Sequence, residues 1–201
     1  MFDPGTTAQE IDINSPAEHW TWSETNYTDF VLEKLMPFGP TVAHTALGLY
    51  PANVSTPEFQ LSSLISDLRV VCGNDYMALV ISAAFTSPVY RYVATYYPQF
   101  PSGVYGDLEY KYSFHGIDTF AYFDAMSLIV DHLTGEDKQW QTNVQQEVLD
   151  FVRGGHGFDK RGRYPEKTLI LTDRTEVTSG YHTQQCLFWL ANGFFSYSWI
   201  N

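Results

Sequence analysis

Two runs rich in β-branched and aromatic residues, set among segments of helical period, predict an α/β fold. Residues 88–96, Pro-Val-Tyr-Arg-Tyr-Val-Ala-Thr-Tyr, make the better strand, opened by a proline. Residues 168–172, Thr-Leu-Ile-Leu-Thr, make a shorter one. The segments around them carry apolar residues at helical spacing, and a strand, helices and a strand again is the α/β order. Two strands cannot by themselves form a covered, doubly wound sheet. The architecture expected is therefore an incomplete central sheet with flanking helices, part of something larger.

The elements follow in order. Residues 2–10 read as a loop. Residues 23–35 read as a helix with Phe30, Val31 and Leu35 on one face and Ser23 as its N-cap. The prolines at 37 and 40 end it, and Tyr50-Pro51-Ala52 is a turn. Residues 57–66 and 74–85 read as helices, the second with Tyr76, Leu79, Val80 and Ala83 at helical spacing. After the 88–96 strand, a Pro/Gly-rich loop over 98–106 leads to His115. Helices are expected over 118–133 and 143–153, with Gly135-Glu136-Asp137 as a break between them and Asp118 as a cap. A basic, glycine-rich loop covers 154–164, Gly180 turns the chain, and 184–195 is a closing helix. No repeat, low-complexity tract or linker divides the 201 residues, so one domain is expected.

Composition narrows the function classes. The chain is 44% hydrophobic, which rules out a disordered chain, and its 14 Tyr, 14 Phe and 5 Trp suit a packed core. A net charge of −12 argues against nucleic acid and against anionic membrane surfaces as partners. The N-terminal Met-Phe-Asp-Pro-Gly lacks the basic and apolar regions of a signal peptide, and residues 187–195 are too few to span a bilayer. Asn26-Tyr27-Thr28 and Asn53-Val54-Ser55 are acceptors for N-glycosylation, whereas Asn14-Ser15-Pro16 is blocked by its proline. With two cysteines, Cys72 and Cys186, these sequons favour a secretory route. A signal peptide is then expected upstream of residue 1.

His115 lies in Phe114-His115-Gly116-Ile117-Asp118, after a Tyr-rich strand and an irregular loop and just before a predicted helix. A general base there needs a partner to fix its tautomer and a nucleophile to deprotonate. Glu10, in Gly5-Thr6-Thr7-Ala8-Gln9-Glu10, is a candidate partner. The other histidines, His19, His44, His132, His156 and His182, show no His-x-x-x-His spacing and read as structural or surface groups. No serine is bracketed as Gly-x-Ser-x-Gly. Ser102 is a loop serine, and Gly154-Gly155-His156-Gly157 reads as a flexible loop rather than an oxyanion motif.

Taken in order, these pieces resemble the C-terminal part of the type-B carboxylesterases, the cholinesterase-like branch of the α/β-hydrolases. Gly5 to Glu10 is similar to the turn carrying the family's triad acid. Ser66-Asp67-Leu68-Arg69-Val70-Val71-Cys72 resembles a segment with a half-cystine, and 88–97 resembles the Tyr-rich strand before the base. Phe114 to Asp118 with Phe123 resembles the run that holds the catalytic histidine. Residues 151–165 are similar to a Phe-Ala-x-x-Gly…Trp-Pro region, and Gln185-Cys186-Leu187-Phe188-Trp189 to the closing Cys-x-Phe-Trp.

The resemblance implies a serine esterase acting on a small carboxylic ester without cofactor or metal. His115 would be the base and Glu10 the triad acid, and the serine would come from an upstream part of the same polypeptide. It implies a Cys72–Cys186 disulfide closing a loop of 186 − 72 = 114 residues, a constraint of roughly 4–5 kcal/mol in the chain-entropy model. Gln9 stands where the family has Asp, Ile11 where it has Gly, and Tyr164 where it usually has Trp. Ile11 disfavours the positive-φ turn that Gly allows, which leaves Asp12 as the alternative acid. The isolated chain is expected to be inactive. The competing expectations are a non-catalytic, adhesion-type relative that binds protein partners and a fragment without function. Helices near the C-terminus form dimer contacts in some relatives, so a homodimer stays open.

Overall fold

The computed structural model describes residues 21–99, 112–114, 116–154 and 162–194. It is a mixed α/β protein with a small three-stranded sheet. The chain divides into two compact units. A helical unit comprises Phe2–Asn74 with His182–Asn201, and a sheet unit comprises Asp75–Tyr181.

In the helical unit, α1 spans Glu24–Leu35. Ser23 caps it as expected: its hydroxyl accepts the Asn26 N–H, and Asn26 Oδ1 accepts the Ser23 N–H in return. The buried residues Tyr27, Val31 and Leu35 recur every fourth position, a single stripe on the helix. Gly39, at φ 117°, makes a turn that L-residues resist, and Pro40 then opens α2, Pro40–Leu49. Sequence reading missed α2 because Pro40 reads as a terminator, while proline is equally at home in a first turn. Residues Pro57–Ser66 form α3 as expected. A five-residue π-helical turn, Asp67–Val71, carries it into α4, Cys72–Ala84. The last helix, α7, spans Thr183–Ala191. It stops short of residue 195 because Gly193 takes φ 86°, and the N–H groups of Gly193 and Phe194 bond back to Leu190 and Trp189.

In the sheet unit, β1 (Tyr92–Ala94) pairs in parallel with β2 (Thr168–Leu171), with Val93 opposite Ile170. Strand β3 (Glu176–Thr178), which sequence reading missed, pairs antiparallel to β2. The strand expected over 88–96 thus shrinks to Tyr92–Ala94, because only three residues of β2, Leu169 to Leu171, pair with it. The helix expected over 118–133 is α5, Ile117–Tyr122, followed by a 3-10 turn at Met126–Leu128. Asp124, at φ 60°, ends α5, and the N–H groups of Asp124 and Ala125 return to Ala121 and Phe120.

The supposed break at residues 135–137 is instead the start of α6, Gly135–Gly154. Thr134 and Asp137 explain it. The Thr134 hydroxyl accepts the Asp137 N–H at 3.1 Å, and Asp137 accepts the Thr134 N–H at 2.8 Å, a reciprocal cap. Along α6 the buried residues Asp137, Trp140, Val144 and Glu147 face one side. Trp140 stacks on Tyr96 at 5.1 Å in a core that also holds Ile117, Met126, Leu169 and Leu171. The loops expected at 2–10, over most of 98–106 and over most of 154–164 lie outside the described residues.

Candidate functional site

Of the residues read as catalytic, His115, Glu10 and the alternative Asp12 lie outside the described residues. The chain on both sides of position 115 is described. Phe114 is buried in the core, and its carbonyl accepts the Ile117 N–H at 3.2 Å. Gly116 takes φ 83°, a left-handed conformation that glycine adopts without a Cβ penalty. Helix α5 starts directly after it. Asp118 does not cap α5, because Gly116 occupies that position. Its carboxylate instead accepts the Tyr92 hydroxyl at 2.8 Å and so ties the first turn of α5 to β1. Burial, with the Asp118 charge next in importance, pushes the Tyr92 phenol well above its ordinary range.

The two cysteines are joined. Cys72, at the start of α4, and Cys186, within α7, form a disulfide with Cα atoms 4.9 Å apart. It closes the 114-residue separation that the resemblance implied. A disulfide belongs to an oxidising environment. Among the described residues no helix is long and apolar enough to cross a membrane.

Beside the disulfide lies an arrangement that sequence reading did not anticipate. Asp67, fully buried in the π-helical turn, has both carboxylate oxygens 2.8 Å from Nδ1 of His182. It also accepts the Tyr50 hydroxyl at 2.8 Å. Tyr50 in turn accepts the Trp189 indole N–H at 2.9 Å, and its carbonyl accepts the Tyr27 hydroxyl at 2.7 Å. Four elements contribute to this chain of bonds: α1, the end of α2, the π-helical turn and α7. Burial first, then the Asp67 charge, drives the Tyr50 phenol far above its ordinary range, so it stays a donor.

An acid that holds an imidazole at Nδ1 is also the geometry of a catalytic pair. Here His182 stands at the N-cap of α7, at φ 50°, and its carbonyl accepts the Cys186 N–H. The pair fixes the entry of α7 next to the disulfide, in keeping with the structural role read for His182. The one available signal was that Asp67 and His182 lie five and four residues before the two half-cystines.

Of the sequons, Asn53 sits in the exposed turn between α2 and α3, and Asn26 is exposed on α1 with its Oδ1 engaged by Ser23. Among the described residues no group of three or more His, Cys, Asp or Glu is placed to hold a metal ion. No protein-family model matches the chain, and no curated protein matches it significantly.

Proposed function

We propose that this chain is the C-terminal part of a type-B carboxylesterase-like serine hydrolase with an α/β-hydrolase fold. The observation that carries the reading is the Cys72–Cys186 bond, which joins the two segments whose pairing the resemblance implied. The parallel pairing of the Tyr-rich strand with β2, and the start of α5 directly after the Phe-His-Gly run, agree with it.

In the proposed reaction an upstream serine attacks the ester carbonyl. His115 takes the serine proton and returns it to the leaving alcohol, and Glu10 (or Asp12) holds the other ring nitrogen. Upstream glycine amides stabilise the oxyanion. The protein is proposed to follow the secretory route, with N-glycans at Asn26 and Asn53. The 201-residue chain alone supplies base and acid without nucleophile and does not turn over esters by this route.

A fluorophosphonate probe applied to source extract, followed by capture and peptide mass spectrometry, tests the reading. Peptides of this chain in a labelled band well above 22.9 kDa are expected. Their recovery only from unlabelled protein would sink the active esterase and favour an adhesion-type relative or a bare fragment, according to size. A second test uses the purified chain. Ester hydrolysis above imidazole background that is lost in His115→Ala would contradict the missing nucleophile.

A further inference from the structure

Within the helical unit, α7 meets the rest of the fold through polar side chains that flank the disulfide on both sides. His182, Cys186 and Trp189 follow one another at intervals of four and three residues, which puts them on one face of a helix. Nδ1 of His182 lies 2.8 Å from both oxygens of Asp67. The Trp189 N–H reaches the Tyr50 hydroxyl at 2.9 Å, and that hydroxyl donates to the same carboxylate at 2.8 Å. Cys186 therefore stands between two arms that both end on Asp67.

The opposite wall owes its geometry to the π-helical turn. Asp67 and Cys72 are five residues apart, which would place them about 140° apart around an α-helix. In the turn Asp67–Val71 the Cys72 N–H instead bonds the Asp67 carbonyl, an i→i+5 closure. The wider turn brings the carboxylate and the sulfur to the same side, where α7 packs. An α-helix over the same residues would turn one of the two away from α7.

None of these bonds involves a sulfur atom. Undocking α7 breaks the charge-assisted contact at Asp67 and the indole bond, and it bares Trp189, which is fully buried. The disulfide acts mainly on the unfolded chain, through the loop it closes. It locks a geometry that the polar contacts select.

We infer that Asp67, Tyr50, His182 and Trp189 form a clasp that docks α7 in the reduced chain and sets Cys186 against Cys72 before their bond forms. Reduction then leaves the helical unit assembled and the bond ready to re-form. The inference stands whether or not the chain is part of an esterase.

Two measurements on the full 201-residue chain test it. The first is hydrogen exchange in Cys72→Ala with Cys186→Ala. The amides of α7 are expected to stay protected at least about tenfold over an unfolded chain. Exchange at unfolded-chain rates, in α7 alone or throughout the molecule, overturns the inference, since the bond and not the clasp then holds α7.

The second is equilibration with glutathione. One cysteine thiolate attacks glutathione disulfide and releases a glutathione thiolate; the other cysteine thiolate then displaces the second. Two cysteine thiols are oxidised to the Cys72–Cys186 bond, and one glutathione disulfide is reduced to two thiols. Alkylation and mass spectrometry read the ratio of oxidised to reduced chain. Tyr50→Phe with His182→Gly breaks both arms, and glycine keeps the φ 50° of position 182. This pair is expected to lower the ratio about tenfold or more at fixed glutathione. Trp140→Phe, in the sheet unit, is expected to leave it within about twofold. An unchanged ratio in the double variant overturns the inference. An equal fall in Trp140→Phe does so too, because the effect then follows general stability. If the oxidised double variant lacks the helical circular dichroism of the parent, the exchange result alone decides.

Discussion

Trp189 in the helical unit and Trp140 in the sheet unit are both fully buried, and they are satisfied differently. The Trp189 N–H reaches the Tyr50 hydroxyl, and from there the bonds run to Asp67 and His182. Among the described residues the Trp140 N–H meets no acceptor, although the ring is stacked on Tyr96 and enclosed by the core. The helical unit adds a covalent link between its two chain segments. Among the described residues the sheet unit has no such link, and its sheet ends at β1. Equally buried indoles can therefore have an N–H that is matched, as at Trp189, or one that meets no acceptor among the described residues, as at Trp140. The matched one lies beside the disulfide.

The largest test of this contrast is the disulfide itself. Cys72→Ala with Cys186→Ala is expected to cost about 4–5 kcal/mol from loop entropy, read as a lower urea midpoint that reductant does not lower further. Asp67→Ala comes next. It removes the acceptor of the Tyr50 hydroxyl and the carboxylate partner of His182, at about 3 kcal/mol. Equilibrium unfolding of the variant checks it, and a loss under about 1 kcal/mol would show that this chain of bonds contributes little.

The third test compares the two indoles directly. Trp→Phe removes similar apolar area at both sites. At 189 it also breaks a hydrogen bond, while at 140 it removes an unmatched donor. Trp189→Phe is therefore expected to cost about 2 kcal/mol more than Trp140→Phe. Equal losses by denaturant titration would erase the distinction.

The smallest effect appears only in alkali. Tyr27, Tyr50, Tyr92, Tyr96 and Tyr164 all have phenols raised by burial above the ordinary value of 10.0. A raised folded-state value means that the folded chain keeps protons which the unfolded chain sheds. The stability they confer is complete below about pH 10 and falls as pH climbs past it. Phenolate absorbance from these rings should rise together with loss of helical circular dichroism. Their smooth titration in an intact fold would contradict the burial.

The sequence made some elements plain and hid others for physical reasons. Ser23 with an apolar stripe behind it, and Pro57 ahead of one, are local signals, and α1 and α3 start within a residue of where they were expected. Helix α6 was half missed, because its start depends on Thr134 and Asp137 closing on each other over a Gly-Glu pair that reads as a breaker. Three-residue β3 lacks a periodic signal of its own and exists by pairing with β2. The Tyr76, Leu79, Val80 and Ala83 spacing did predict a helix, and α4 covers those positions. The disulfide was legible through resemblance. The bonds from Trp189 to His182 were not, since they join residues 139 and 115 positions apart. His115 and Glu10 stay expectations on sequence grounds.

The disulfide also has a bearing on how this protein survives cleavage. A protease that nicks the backbone anywhere between Cys72 and Cys186 leaves a single covalent molecule with two extra ends. Such a molecule migrates as one species until a reductant is added, and only then separates into an N-terminal and a C-terminal piece. The helical unit, built from residues on both sides of the nick, would keep its two halves joined at Cys72 and Cys186.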